Sequence, residues 1–202
     1  MNILTLALPQ IMTNCYIAYE KDGGKCFIID PASCSERIDT LIYAHSLTPK
    51  AILLTHGHFD HIGAADELRK KYSIPLYIHE GDGDMICSST LNCSKPMLGV
   101  DITLDPADKL LKDGDKIKLE NEVLRVMHSP GHSPGSCVYI GNGFIFSGDT
   151  VFKGTYGRYD LPGGDYSLLM QSIKRIMKLN PTLEIYPGHY EKTTISDEML
   201  YY

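Results

Sequence analysis

Residues 51–61 read Ala51-Ile52-Leu53-Leu54-Thr55-His56-Gly57-His58-Phe59-Asp60-His61, an apolar run that passes without a break into a histidine-rich loop. Consecutive apolar residues of this kind mark a strand buried on both faces, as in a sheet covered by other layers. The loop therefore leaves the C-terminal end of a buried strand, where layered α/β proteins build their sites. It carries four potential metal ligands within six residues: His56, His58, Asp60 and His61. One short loop cannot wrap four side chains round a single ion with good angles. Alternation along the chain suggests that His56 and His58 point to one position while Asp60 and His61 serve a second.

The same design recurs further along. His132 lies in Ser129-Pro130-Gly131-His132-Ser133-Pro134-Gly135-Ser136, Asp149 in Phe146-Ser147-Gly148-Asp149-Thr150, and His189 in Tyr186-Pro187-Gly188-His189-Tyr190. Each follows an apolar run and is flanked by Gly or Pro, which let a short side chain reach a central ion. Burying several imidazoles and carboxylates together without a cation is electrostatically expensive, so the cluster is read as metal-binding. His45 and His79 stand alone and take structural readings; His128, four residues before His132, is read as support for the site. Nitrogen and carboxylate donors with no thiolate suit zinc, iron or manganese, and a carboxylate can bridge two ions about 3.5–4 Å apart. Such a pair holds a hydroxide, which points to hydrolysis without a Ser or Cys nucleophile.

Outward from this loop, Ile3–Leu8, Cys15–Tyr19 and Cys26–Ile29 read as strands, the last two joined by a turn at Lys21-Asp22-Gly23-Gly24. Ser33 to Ser46 has helical spacing, with Ser33 or Ser35 available as its cap and Pro49 as its end. Ile62 to Tyr72 reads as one helix with a basic end, followed by a strand at Ile74–Ile78. Gly81 to Asp105 has weak periodicity. Strands then follow at Lys116–Leu119, Val123–Met127, Cys137–Ile140 and Phe144–Phe146, and a second clear helix spans Tyr166 to Leu179. Both halves run from strands into helices, an order that two sheets packed face to face with helices outside would accommodate. No linker separates the halves, so one domain over 1–202 is expected.

Composition narrows the function classes. Apolar residues at 43% and charged residues at 22% are ordinary globular usage, and a net charge of −6 is a poor footprint for nucleic acid. No window approaches the roughly 18–20 uninterrupted apolar residues of a membrane helix, and Pro9 and Gln10 interrupt the opening run. Six cysteines are scattered without a Cys-x-x-Cys pair, so thiols are expected to be free and the compartment reducing, that is, cytoplasmic.

The loop at 55–61, Ser129–Ser136, Phe146–Thr150 and Tyr186–His189 resemble, in this order, the metal motifs of the metallo-β-lactamase-fold hydrolases. The resemblance is strongest to the compact hydroxyacylglutathione hydrolase (glyoxalase II)-like branch, whose opening strands Thr13–Tyr16 and Ile28–Pro31 also resemble. It implies a four-layer αββα sandwich with the site at one edge of the two sheets. It also implies two divalent ions, zinc with iron or manganese as alternatives: His56, His58 and His132 on the first, Asp60, His61 and His189 on the second, and Asp149 bridging. A metal-bridging hydroxide would cleave a small acyl thioester, with Asp60 the catalytic residue that orients it.

Two departures from glyoxalase II shape the reading. Only Tyr190 to Tyr202 follows the last ligand, where those enzymes carry a helical region that helps to hold glutathione. Arg158, in Gly154–Asp165, could grip a substrate carboxylate or pair with Asp160 or Asp165. The alternative function is a persulfide dioxygenase, an oxidoreductase with one iron on two histidines and an aspartate. A non-catalytic metal module is a further reading. Partners beyond a small-molecule substrate are not indicated, and oligomeric state is left open.

Overall fold

The computed structural model of the protein describes residues 1–8 and 12–202; Pro9 and Gln10, which interrupt the opening apolar run, lie outside the described residues. The first half comprises β1 (Asn2–Ala7), β2 (Asn14–Tyr19), β3 (Lys25–Ile29), α1 (Ser35–Ala44), β4 (Thr48–Leu53), α2 (Phe59–Ile62), α3 (Ala65–Tyr72), β5 (Leu76–His79), α4 (Ser94–Leu98) and β6 (Lys109–Leu111). The second comprises β7 (Lys116–Leu119), β8 (Glu122–His128), β9 (Cys137–Ile140), β10 (Phe144–Gly148), β11 (Val151–Phe152), β12 (Thr155–Tyr156), α5 (Tyr166–Ile176), β13 (Glu184–Pro187), β14 (Thr193–Thr194) and α6 (Ile195–Glu198). One sheet has the order β1-β2-β3-β4-β5-β6, the other β14-β13-β10-β9-β8-β7.

Strand β2 shows why these strands stack into four layers. It is buried along its whole length, and its side chains alternate between two cores, as the twofold strand period requires. Cys15 and Ile17 pack with Ile28, Ile52, Ile38 and Leu68, so this face of the first sheet is covered by α1 and α3. Tyr16 and Ala18 pack with Phe27, Leu53, Val126 and Tyr139, the core between the two sheets. On the far side, Leu169, Ile173 and Ile176 of α5 cover Val138, Ile145 and Ile185 of the second sheet. The result is the expected αββα sandwich.

Two buried phenols tie the sheets together beneath one edge. Tyr139 of the second sheet donates to the Leu54 carbonyl of the first at 2.7 Å, and Tyr16 of the first donates to the Pro187 carbonyl of the second at 2.6 Å. Burial pushes both hydroxyls to higher pKa, so they remain donors. The backbone N–H of Cys137 also crosses to the Thr55 carbonyl at 2.9 Å. These bonds place the ends of β4, β9 and β13 at one edge, from which the histidine loops emerge.

Three local expectations are corrected. Neither Ser33 nor Ser35 caps α1: Cys34 occupies that position with no side-chain cap bond, and the Ser35 hydroxyl donates instead to Glu67 at 2.6 Å. Pro49 does not end a helical segment but lies inside β4, opposite Cys26, where the register shifts to accommodate it. Ile62 to Tyr72 is not one helix. It divides between α2 and α3 at Ala64, whose N–H bonds the Pro31 carbonyl at 2.9 Å instead of a helical one, while Gly63 packs so closely on Ala32 that a Cβ would stand 2.3 Å from its carbonyl oxygen. Among the described residues no helix is long and apolar enough to cross a membrane.

Candidate metal centre

Four strand ends supply the seven residues singled out in the sequence. β4 leads to His56 and His58, and the short helix α2 carries Asp60 and His61. The β8–β9 loop carries His132, while the parallel pair β10 and β13 delivers Asp149 and His189 side by side. The side chains converge in three overlapping groups: His56, His58 and His132; His56, His61 and Asp149; and Asp60, His61 and His189. In the first, His58 Nδ1 lies 2.9 Å and His56 Nε2 3.2 Å from His132 Nε2. A tetrahedral zinc ion spaces imidazole nitrogens about 3.3 Å apart. In the third, His189 Nε2 lies 3.3 Å from Asp60 Oδ2. Asp149 stands between them, Oδ2 3.6 Å from His132 Nε2 and 3.4 Å from His189 Nε2, with Oδ1 3.3 Å from His61 Nε2.

Hydrogen bonds on the far sides of the rings set their tautomers. Asp30, absent from the residues picked out by sequence, accepts the Nδ1 proton of His61 at 3.0 Å and the Thr55 hydroxyl proton at 2.7 Å. Thr55 Oγ1, its proton committed to Asp30, accepts from His56 Nδ1 at 3.2 Å. His132 Nδ1 donates to the Arg158 carbonyl at 2.7 Å. His56 and His132 thus present a bare Nε2 to the centre, and the Asp30 bond aims His61 Nε2 at it, the arrangement that orients imidazoles on a metal.

Charge tells the same story. Burial, with His61 and His132 close by, pushes His56 well below the usual histidine pKa, and burial beside His132 pushes His58 down to about 3. Their lone pairs are therefore free near neutral pH. At His61 and His189 burial is outweighed by the neighbouring aspartates: His61 is driven well up and His189 up to about 9. That half of the site calls for positive charge. His61 Nε2 and Asp149 Oδ1, 3.3 Å apart, are buried without a hydrogen-bond partner, a costly state for polar atoms unless a cation sits between them. The donor set fits two divalent ions.

The centre forms the floor of a cavity of about 420 Å³ with Met12, Met97, Phe152, Tyr156, Arg158 and Tyr190 among its walls. Arg158 is paired bidentately with Asp160, at 2.8 and 2.9 Å. Asp165 takes another role, capping α5 through Leu168 N–H at 2.8 Å. His45 pairs with Asp22 at 2.9 Å, away from the centre. His128 touches no candidate ligand; its Nε2 donates to the Pro134 carbonyl at 2.9 Å, supporting the His132 loop. Sequence reasoning missed Asp30 and Asp82 as supports. Asp30 carried the same signal as the ligands, an acid at a strand end beside Pro31, and Asp82 sits between Gly81 and Gly83 in a segment of weak periodicity.

Residues 8–189 match the family model of the metallo-beta-lactamase superfamily. The chain is 37% identical to the "Probable metallo-hydrolase YqgX" of Bacillus subtilis, over 96% of this chain and 92% of that one. It is 33% identical to the "Hydroxyacylglutathione hydrolase GloC" of Haemophilus influenzae, over 98% and 95%. Among solved structures, the BLEG-1 B3 metallo-beta-lactamase superposes with a TM-score of 0.94 at 39% identity, covering 99% of this chain and 97% of that one. TTHA1623 in a di-iron-bound form superposes with a TM-score of 0.85 at 35% identity, covering 97% and 96%. Fold and donor triads together define a metallo-hydrolase. The chain belongs to the metallo-β-lactamase superfamily.

Proposed function

We propose that this protein is a dinuclear metallo-hydrolase that cleaves a small acyl thioester of the S-hydroxyacylglutathione type, and that residues 1–202 form a single domain. The observation that carries the reading is the pair His61 Nε2 and Asp149 Oδ1, buried, 3.3 Å apart and without hydrogen bonds, set between two further donor groups. His56, His58 and His132 would hold one ion, Asp60, His61 and His189 the other, with Asp149 shared. Two divalent ions there, zinc with iron or manganese as alternatives, would supply a hydroxide nucleophile near neutral pH and Lewis-acid polarisation of the scissile carbonyl.

The chain's own residues complete the chemistry. Asp60 lines the cavity and is held ionised, because His61 and His189 outweigh the burial that would raise its pKa. Its carboxylate is thus placed to accept a hydrogen bond from the attacking hydroxide and orient it. Thioesters expel a good leaving thiolate, so no general acid beyond this set is required. Arg158 would bind a substrate carboxylate by exchanging Asp160 for it, since both are bidentate partners of one guanidinium. The Haemophilus relative's name supports the thioester reading, and the di-iron neighbour supports a two-metal site. All six cysteines are unpaired thiols, in keeping with a cytoplasmic setting.

The test is thiol release from S-lactoylglutathione by metal-loaded protein beside its His56→Ala variant. Turnover lost in the variant supports the reading. No turnover with any acyl thioester, together with oxygen uptake by the iron-loaded protein on a glutathione persulfide, would replace it with the dioxygenase.

A further inference from the structure

Behind the triad His56, His58 and His132 stands a carboxylate that no ligand touches directly. Asp82 is wholly buried and ends the 3-10 turn Glu80–Asp82 that follows β5. Its Oδ2 accepts the Gly57 N–H at 2.9 Å and the Ser133 hydroxyl at 2.6 Å, and its Oδ1 accepts the Gly135 N–H at 2.6 Å. Gly57 lies between His56 and His58, and Ser133 follows His132. One carboxylate therefore grips both loops that supply this triad, one from each sheet. The fit is tight: a Cβ on Gly135 would stand 2.3 Å from Asp82 N.

We infer that Asp82 is a positioning residue for the three-histidine half of the metal centre, the counterpart of Asp30 behind His61. The first triad holds three neutral imidazoles and, apart from shared Asp149, no anionic ligand. Its nitrogens repel one another when no cation lies between them, and the loops bearing them belong to different sheets. Asp82 resists that separation through two charge-assisted bonds to one loop and one to the other, while lending negative charge beside the ion. Sequence neighbours could not do this, since only the tertiary fold brings Gly57 and Ser133 to the same carboxylate.

This inference rests on the two-metal reading, and its test keeps the two apart. In the full-length chain, Asp60→Ala leaves the three-histidine half intact and His58→Ala leaves the other half intact. Asp82→Asn is then added to each, and zinc affinity is measured by competition with a chromophoric chelator, with cobalt absorption reporting ligand geometry. The carboxamide turns one acceptor into a donor facing N–H or O–H groups. The expected result is a fall of about 10–100-fold in affinity in the Asp60→Ala background, with an altered cobalt spectrum, and no change in the His58→Ala background. Equal losses in both backgrounds, or none in either, would overturn the inference. Should Asp82→Asn fail to fold, Ser133→Ala, which removes one bond only, is taken through the same arms with a smaller loss expected. If the parent chain itself binds no metal, the two-metal reading fails and this inference with it.

Discussion

The carboxylate of Asp30 accepts the Nδ1 proton of His61 at 3.0 Å while its other oxygen takes the Thr55 backbone N–H at 2.8 Å. One acid, itself not among the candidate ligands, thereby fixes the ring at the heart of the second triad and, through Thr55, the tautomer of His56. Asp30→Asn should lower metal affinity by about 10–100-fold and stability by about 1–3 kcal/mol, because a buried donor or acceptor is left unmatched. Metal titration and urea unfolding measure the two losses. A variant with undiminished affinity would show that His61 needs no such support.

Gly188 and Asp149 define how closely the two parallel strand ends approach. A Cβ on Gly188 would lie 2.1 Å from Asp149 Oδ1 and 2.7 Å from His61 Cε1. Gly188→Ala must therefore displace the shared carboxylate. The expected outcome is bound metal falling from two ions towards one and a cost of about 1–3 kcal/mol from overpacking. Elemental analysis of the purified variant decides it; two retained ions would mean that Asp149 is not the shared ligand.

At the cavity mouth, Tyr190 is held at φ 68° and is 68% exposed, its carbonyl fixed by Asn14 Nδ2 at 2.8 Å and its ring set edge-on to Phe152 with centroids 5.4 Å apart. A bulky residue in left-handed backbone costs roughly 1–2 kcal/mol, and glycine avoids that strain at an entropic cost of its own. Tyr190→Gly should leave stability within about 1 kcal/mol of the parent while raising KM several-fold with kcat nearly unchanged. Steady-state kinetics on the substrate that is turned over tests the split. An unchanged KM would remove Tyr190 from the binding wall.

His79 is buried and stacks on His128, with ring centroids 4.0 Å apart and planes 9° apart. Burial, reinforced by His128, lowers its pKa below 6.5. The unfolded chain therefore binds a proton that the folded chain does not as pH falls below 6.5. Stability is complete above that pH and declines below it. His79→Gln should flatten this decline below pH 6.5, as read from urea midpoints of the two proteins side by side. Parallel curves would assign the decline to other groups.

The ligand candidates were legible because His56, His58, His132, Asp149 and His189 each combine a donor side chain, a nearby preceding apolar run and an adjacent Gly, while Asp60 and His61 stand out by their crowding into the same loop. The strands were legible because burial on both faces leaves continuous apolar runs such as Ala51–Leu54, and α5 because Leu169, Ile173 and Ile176 repeat at helical spacing. What misled were choices decided between distant segments. Ser35 reads as a cap, yet Glu67 takes its hydroxyl; Pro49 reads as a terminator, yet it fits a strand at a register shift opposite Cys26.

Sequence by itself determined the order of strands and helices and the candidate donors, since these follow from side-chain chemistry and from periodicities of a few residues; the division of the donors between two positions came with the family resemblance. Tertiary structure alone decided how the donors are aimed. Asp30, Asp82 and the carbonyl of Arg158 act on rings 26–31 residues away or on loops 25–53 residues away, and their hydrogen bonds exist only once two sheets have packed and brought four strand ends to one edge. Hydrogen bonding is short-ranged and directional, so no pattern along the chain could announce it.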